Sequence, residues 1–138
     1  MLDTNVFNRL LDGLWDISHL PDDAPCYVTH VQHDELARTP NPRRRDDLLG
    51  KFNTVAPISI STESMIVGIS RVGECRISDG VEYEEFLQEL TKHKKQSNNP
   101  QDALIAETAL KSGFTLVSTD STLITVMAAR GGKTLEIK

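Results

Sequence analysis

Apolar positions along the chain fall into short runs separated by amphipathic segments. Val6, Leu10 and Leu14 recur at the spacing of one helical face, so a helix is predicted from Val6 to Leu14, behind a very short strand at residues 1–3. Pro21, Asp22, Asp23 and Pro25 read as a loop, and Cys26-Tyr27-Val28 as a second short strand. Thr29 and Gln32 stand at the spacing of a capping box, which starts a helix at Thr29. Pro40 and Pro42 end it, and a further helix carries Leu48, Leu49 and Phe52. Val55 to Ile60 is apolar and β-branched enough for a third strand, whereas residues 61–85 leave helix and hairpin both open. A charged amphipathic helix is expected from Tyr83 to Lys95, with Phe86, Leu87 and Leu90 inward. Asn99 as N-cap, Pro100 as first residue and Gly113 as stop frame a helix over 100–112. "FTLVST" then reads as a strand, Leu123 to Arg130 as a helix, Gly131-Gly132 as a turn and "KTLEI" as a last strand.

Short strands alternating with helices imply one α/β domain over residues 1–138, its central, mainly parallel sheet covered by helices on both faces in three α/β/α layers. In open sheets of this kind ligands bind beyond the carboxyl ends of the strands. Four acids stand at such places. Asp3 follows the first strand, Glu35 lies in the second turn of the helix after the second, Asp102 opens the 100–112 helix, and Asp120 follows "FTLVST". Each alone has an ordinary structural reading: Asp102 as a first-turn acid, Asp120 as an N-cap, Asp3 as the close of a turn. Gathered on one rim, they would raise one another's pKa and need a counter-charge. A hard divalent cation, Mg²⁺ or Mn²⁺, suits carboxylate oxygens, and a pair of them could hydrolyse a phosphodiester.

Composition narrows the chemistry. The chain has 138 residues and a net charge of −5, so it is not a typical electrostatic binder of nucleic acid, yet the acid excess fits a cation site. No run approaches the roughly 20 apolar residues that cross a bilayer, and no basic leader precedes an apolar run, so a cytoplasmic protein without a membrane partner is expected. Cys26 and Cys75 read as two reduced core thiols. His30 and His33 lack a third imidazole or thiolate and read as solvent-facing. No phosphate loop of the G-x-x-x-x-G-K type occurs, and Ser118 and Ser121 lack a base for a triad. Arg43, Arg44 and Arg45 form the one basic cluster, either a solvated helix start or a contact for RNA phosphates.

Four segments carry a resemblance. "LDTN" at Leu2–Asn5, "THVQHDEL" at Thr29–Leu36, "DALIAETAL" at Asp102–Leu110 and "LVSTD" at Leu116–Asp120 resemble the signature segments of PIN domains, metal-dependent ribonucleases that include VapC-like toxins. The resemblance spans nearly the whole chain, and "DALIAETAL" with the following "STD" is its most specific part. It implies the α/β/α fold, Mg²⁺- or Mn²⁺-dependent endoribonuclease activity, an RNA substrate, and an antitoxin protein or a second copy of the chain as partners. Asp3, Glu35, Asp102 and Asp120 match the family's acids, and Asn5 and Thr119 its assisting polar positions. Only two residues precede Asp3, where the family has a longer first strand, so either that strand is clipped or the chain start is late, and residues 61–80 match no family segment. Two other readings stay open: a catalytically silent PIN-like module that binds RNA or protein, and a receiver-like domain with an acidic Mg²⁺ pocket. The second is disfavoured because the acids are spread over four segments, and no lysine follows a late strand where a receiver needs one.

Overall fold

In a computed structural model, residues 1–70, 73–76 and 78–138 are described. The helices are α1 (Thr4–Leu11), α2 (His30–Ala37), α3 (Pro42–Val55), α4 (Val81–His93), α5 (Asn99–Ser112) and α6 (Ser121–Ala129); the strands are β1 (Tyr27–Val28), β2 (Ile58–Ser59), β3 (Leu116–Ser118) and β4 (Thr134–Glu136). Local chemistry accounts for most helix ends. Asp3, Thr29, Asn41 and Asp120 accept backbone N–H bonds at the starts of α1, α2, α3 and α6. Pro42 opens α3, and Gly113, at φ +72°, ends α5 in the left-handed region.

The expected three-layer α/β/α arrangement around a central sheet is not what forms. Parallel pairing occurs, but in two separate two-stranded ladders: β1 with β2, and β3 with β4. Among the described residues no strand exceeds three residues. A sheet covered on both faces would bury its strands, yet both residues of β2 are exposed, as are two of the three in β4. Pro57, directly before β2, has no N–H to extend that ladder. The protein is therefore helix-rich, and most of its apolar burial is between helices. Residues 1–3 form no strand of their own. Leu2 bridges Val117 of β3, and its N–H donates to Tyr27 O of β1 at 2.9 Å, so this extended segment lies between the two ladders.

Two apolar clusters result. The larger joins Tyr83, Phe86 and Leu90 of α4 to Leu104 and Ile105 of α5 and to Leu123 and Met127 of α6. The smaller gathers Leu2, Val6, Phe7, Val28, Leu36, Leu48 and Val117, with Trp15 half-buried against its edge. Arg130, past the end of α6, ties to Glu82 and Glu85 and sits over the Phe86 ring.

Three local expectations need correction. The first helix stops at Leu11, because Asp12 and Gly13 (φ +70°) turn the chain out, and Leu14 is left 61% exposed. The last cap before α5 is Asn98; the Asn99 amide instead donates to Lys94 O at 2.8 Å. His33 faces solvent as expected, but His30 is buried, with Nδ1 3.1 Å from Asp34 Oδ2. The two thiols are free and half-buried. Within the stretch left open as helix or hairpin, Thr62 bridges Cys75 in parallel; Arg71, Val72 and Ile77 lie outside the described residues.

The capping box does more than start α2. Gln32 Oε1 accepts from both the N–H and the hydroxyl of Thr29, while its amide donates to Leu2 O at 3.0 Å. Gln32 is fully buried, so Gln32→Ala strips partners from Thr29 N–H and Leu2 C=O where water cannot replace them. Urea denaturation of this variant is expected to show a loss of roughly 2 kcal/mol or more. A loss under about 0.5 kcal/mol would mean that these groups are solvated.

Candidate functional site

The four acids arise from four different helices or their caps. Asp3 is the N-cap of α1, Glu35 lies in α2, Asp102 in the first turn of α5, and Asp120 is the N-cap of α6. The extended segment at Leu2 sets Asp3 beside β3, since Asp3 N–H donates to Val117 O at 2.9 Å. Asp3 is almost completely buried. Its Oδ1 accepts from Thr4 N–H at 2.8 Å, and its Oδ2 accepts from Ser118 Oγ at 2.6 Å and Asn5 Nδ2 at 2.9 Å. Glu35 is fixed by the Thr4 hydroxyl, 2.9 Å from Oε1. Asp120 gives Oδ1 to the N–H groups of Thr122 and Leu123, and Oδ2 to Lys94 Nζ at 2.8 Å. Asp102 is held most loosely: Asn98 Nδ2 stands 3.5 Å from its Oδ2.

Electrostatics shows that these carboxyls share one neighbourhood. Asp102 is pushed up to about 9, first by burial, then by the charges of Asp3, Glu35 and Asp120, with Lys94 opposing. Glu35 is pushed up to about 7, by burial foremost and by Asp3, against the Thr4 hydrogen bond. Burial also raises Asp3, partly offset by Ser118, Thr4 and Asn5. Even so, among the described residues no three His, Cys, Asp or Glu side chains stand close enough to form a ready ligand set. The acids feel one another without being drawn together. A cation would find all-oxygen donors of the right hardness, at spacings that must close around it. The donor chemistry thus fits Mg²⁺ or Mn²⁺.

The assisting residues sit in one hydrogen-bonded row. Asn5 donates to Asp3 and accepts from Thr119 N–H at 3.1 Å, so Thr119 enters the row through its main chain. Ser118, fully buried, donates to Asp3 and accepts from Asp120 N–H at 3.0 Å. Its part, like those of Thr4 and Lys94, escaped sequence reasoning. Ser118 reads from the sequence only as a nucleophile without a base, and Lys94 falls unremarked near the end of the helix expected from Tyr83 to Lys95. The arginine cluster is divided. Arg43 is exposed, Arg45 reaches Thr39 O at 3.4 Å, and Arg44 is committed to Asp12 at 2.9 Å and to Asn8 at 2.9 Å.

No protein-family model matches the chain, and no curated protein matches it by sequence. Solved structures of similar fold include a domain of a functionally unknown protein from Methanocaldococcus jannaschii, with a TM-score of 0.55 at 15% identity over 99% of this chain and 89% of that one. FitAcB from Neisseria gonorrhoeae superposes with a TM-score of 0.50 at 17% identity, covering 98% and 95% of the two chains. Likeness at such identities describes the fold alone. No helix among the described residues is long and apolar enough to cross a membrane.

Raised carboxyl pKa values make the metal-free chain sensitive to alkali. The folded state holds protons that the unfolded state has already lost, between 3.8 and about 9 at Asp102 and between 4.5 and about 7 at Glu35. Stability from these groups is therefore complete at the acid end of each window and drains away as pH rises. In EDTA, the melting temperature is expected to fall from about pH 5 to about pH 8, and Asp102→Asn to flatten that fall and raise the value at the upper pH. A variant with the parent's slope would show that Asp102 carries no such strain.

Proposed function

We propose that the chain is a divalent-metal-dependent endoribonuclease, with Asp3, Glu35, Asp102 and Asp120 holding Mg²⁺ or Mn²⁺. The observation that carries the reading is the mutual electrostatic strain of four buried or half-buried carboxyls, which among the described residues is opposed by Lys94, in contact with Asp120, and by the charge of Arg38 near Glu35. The resemblance of the four segments to PIN-domain ribonucleases supports RNA as the substrate. Bound among these acids, the metal would supply an activated water and a charge to stabilise the leaving oxygen. The chain's own residues do the positioning. Ser118 and Asn5 fix Asp3, Thr4 fixes Glu35, and the α6 N–H groups fix Asp120. Burial and rigid second partners of this kind keep ligands preorganised.

A toxin–antitoxin setting, with an antitoxin protein as partner, follows from the VapC-like resemblance, and the fold shared with FitAcB is compatible with it. A second reading is favoured by two observations: Lys94 occupies Asp120, and no ready ligand set stands among the described residues. On that reading the chain is a catalytically silent module that binds RNA or protein.

Cleavage of a mixed pool of structured and single-stranded RNA separates the two. Activity is expected with Mg²⁺ or Mn²⁺, to cease in EDTA, and to fall at least about a hundredfold in Asp3→Asn and Asp102→Asn. Cleavage that persists in EDTA would overturn the metal mechanism, and RNA retention without cleavage at any metal concentration would favour the silent module.

A further inference from the structure

We infer that Lys94 is a built-in counter-cation of the acid cluster, holding Asp120 in the metal-free chain and competing with a divalent cation for it. The inference rests on the metal-dependent reading above and names a residue that acts on the same site.

The main chain, not the side chain, fixes where Lys94 begins. It follows the last residue of α4 with extended backbone (φ −159°, ψ 139°), and its N–H donates to Leu90 O at 3.0 Å. Its carbonyl accepts from Asn99, which is buried and belongs to the helix that carries Asp102. Asn99 thus clamps the end of α4 to the start of α5 and directs the lysine stem toward the acids. The side chain itself is 30% exposed and so has an open route to water.

The contest concerns a single oxygen. Asp120 Oδ1 already accepts two N–H groups of α6, while Oδ2 carries the ammonium at 2.8 Å. A divalent ion taking Oδ2 at coordination distance would meet an ammonium within a few ångströms, and like charges so close repel strongly. Either the ammonium swings out or the metal is held by fewer carboxylates. Among the described residues this is the one ion pair that any of the four acids makes. With Lys94 in place, Asp120 is turned to a cation the chain already owns.

The test is calorimetric titration of the full chain with Mn²⁺, alongside Lys94→Met, Lys94→Gln and, as a charge control, Lys95→Met at the exposed neighbouring position. Both Lys94 variants are expected to bind Mn²⁺ about tenfold more tightly than the parent, within the usual range of coupling between two sites. They should also melt several degrees lower in EDTA, having lost the cation that opposes the acids' repulsion. Lys95→Met should match the parent in both measurements. Gln keeps a hydrogen-bond donor without charge, so a packing defect peculiar to Met would show as disagreement between the two Lys94 variants and count against the inference. If the parent binds Mn²⁺ and neither Lys94 variant binds it more tightly, the competition is refuted while the metal site stands. If no form binds Mn²⁺, both fall. Tighter Mn²⁺ binding without RNA cleavage in any form would uphold the counter-cation and overturn the ribonuclease.

Discussion

Everything in this molecule hangs on main-chain pairing along both flanks of Met1–Asp3. Leu2 N–H reaches Tyr27 O on one side; on the other, Asp3 N–H reaches Val117 O and Val117 N–H reaches Met1 O, each at 2.9 Å. Neither neighbouring ladder has more than three residues per strand, and each would be marginal alone. Joined through this extended segment, they share a hydrogen-bonded line whose side chains enter both apolar clusters: Met1 the larger, Leu2 the smaller. The buried Gln32 secures the line to α2, so one helix cap and the segment between the ladders share a side chain.

That line also explains why the acids meet. Asp3 ends it, Asp120 follows β3 within the next turn, and each caps a helix that starts there. Capping is ordinarily favourable for a carboxylate, because orphan N–H groups and the helix dipole both attract negative charge. Here the two effects are opposed by burial and by like-charge neighbours at Asp102 and Glu35. The fold therefore holds a local arrangement of carboxyls that is costly when all are ionised, and keeps it through many ordinary hydrogen bonds rather than one strong one. Such stored strain is characteristic of sites that await a ligand.

The helices were largely legible in the sequence because their signals are local. Thr29 with Gln32 marks α2, Pro42 opens α3, and Gly113 closes α5; each acts within a few residues of its own position. The sheet was not legible to the same degree. Alternating apolar runs disclose that strands exist and pair in parallel, but not that they stop after two or three residues or that β2 lies open to solvent. The positions of the four acids could be read because Asp3 and Asp120 cap helices that follow extended segments, while Glu35 and Asp102 lie in the first two turns of theirs. Ser118 could not, because its meaning comes from Asp3, at a separation of 115 residues. Lys94 was hidden in a basic run whose other lysines, Lys92 and Lys95, are exposed. Its ion pair with Asp120, 26 residues away, distinguishes it, and that contact belongs to tertiary structure.

Trp15 is the sole tryptophan, and it rests at the edge of the smaller cluster, with its ring 6.1 Å from that of His19. Its emission is consequently an optical gauge of one part of the molecule, the packing around α1 and α3. Circular dichroism is blind to that distinction, since it sums the signal of the helices of both clusters, α1 to α3 in the smaller and α4 to α6 in the larger. The chain thus contains two independent reporters of its own cooperativity, needing no label. Coincident curves from the two would mean that the segment at Leu2 binds the clusters into one unit; separated curves would mean that it is a seam.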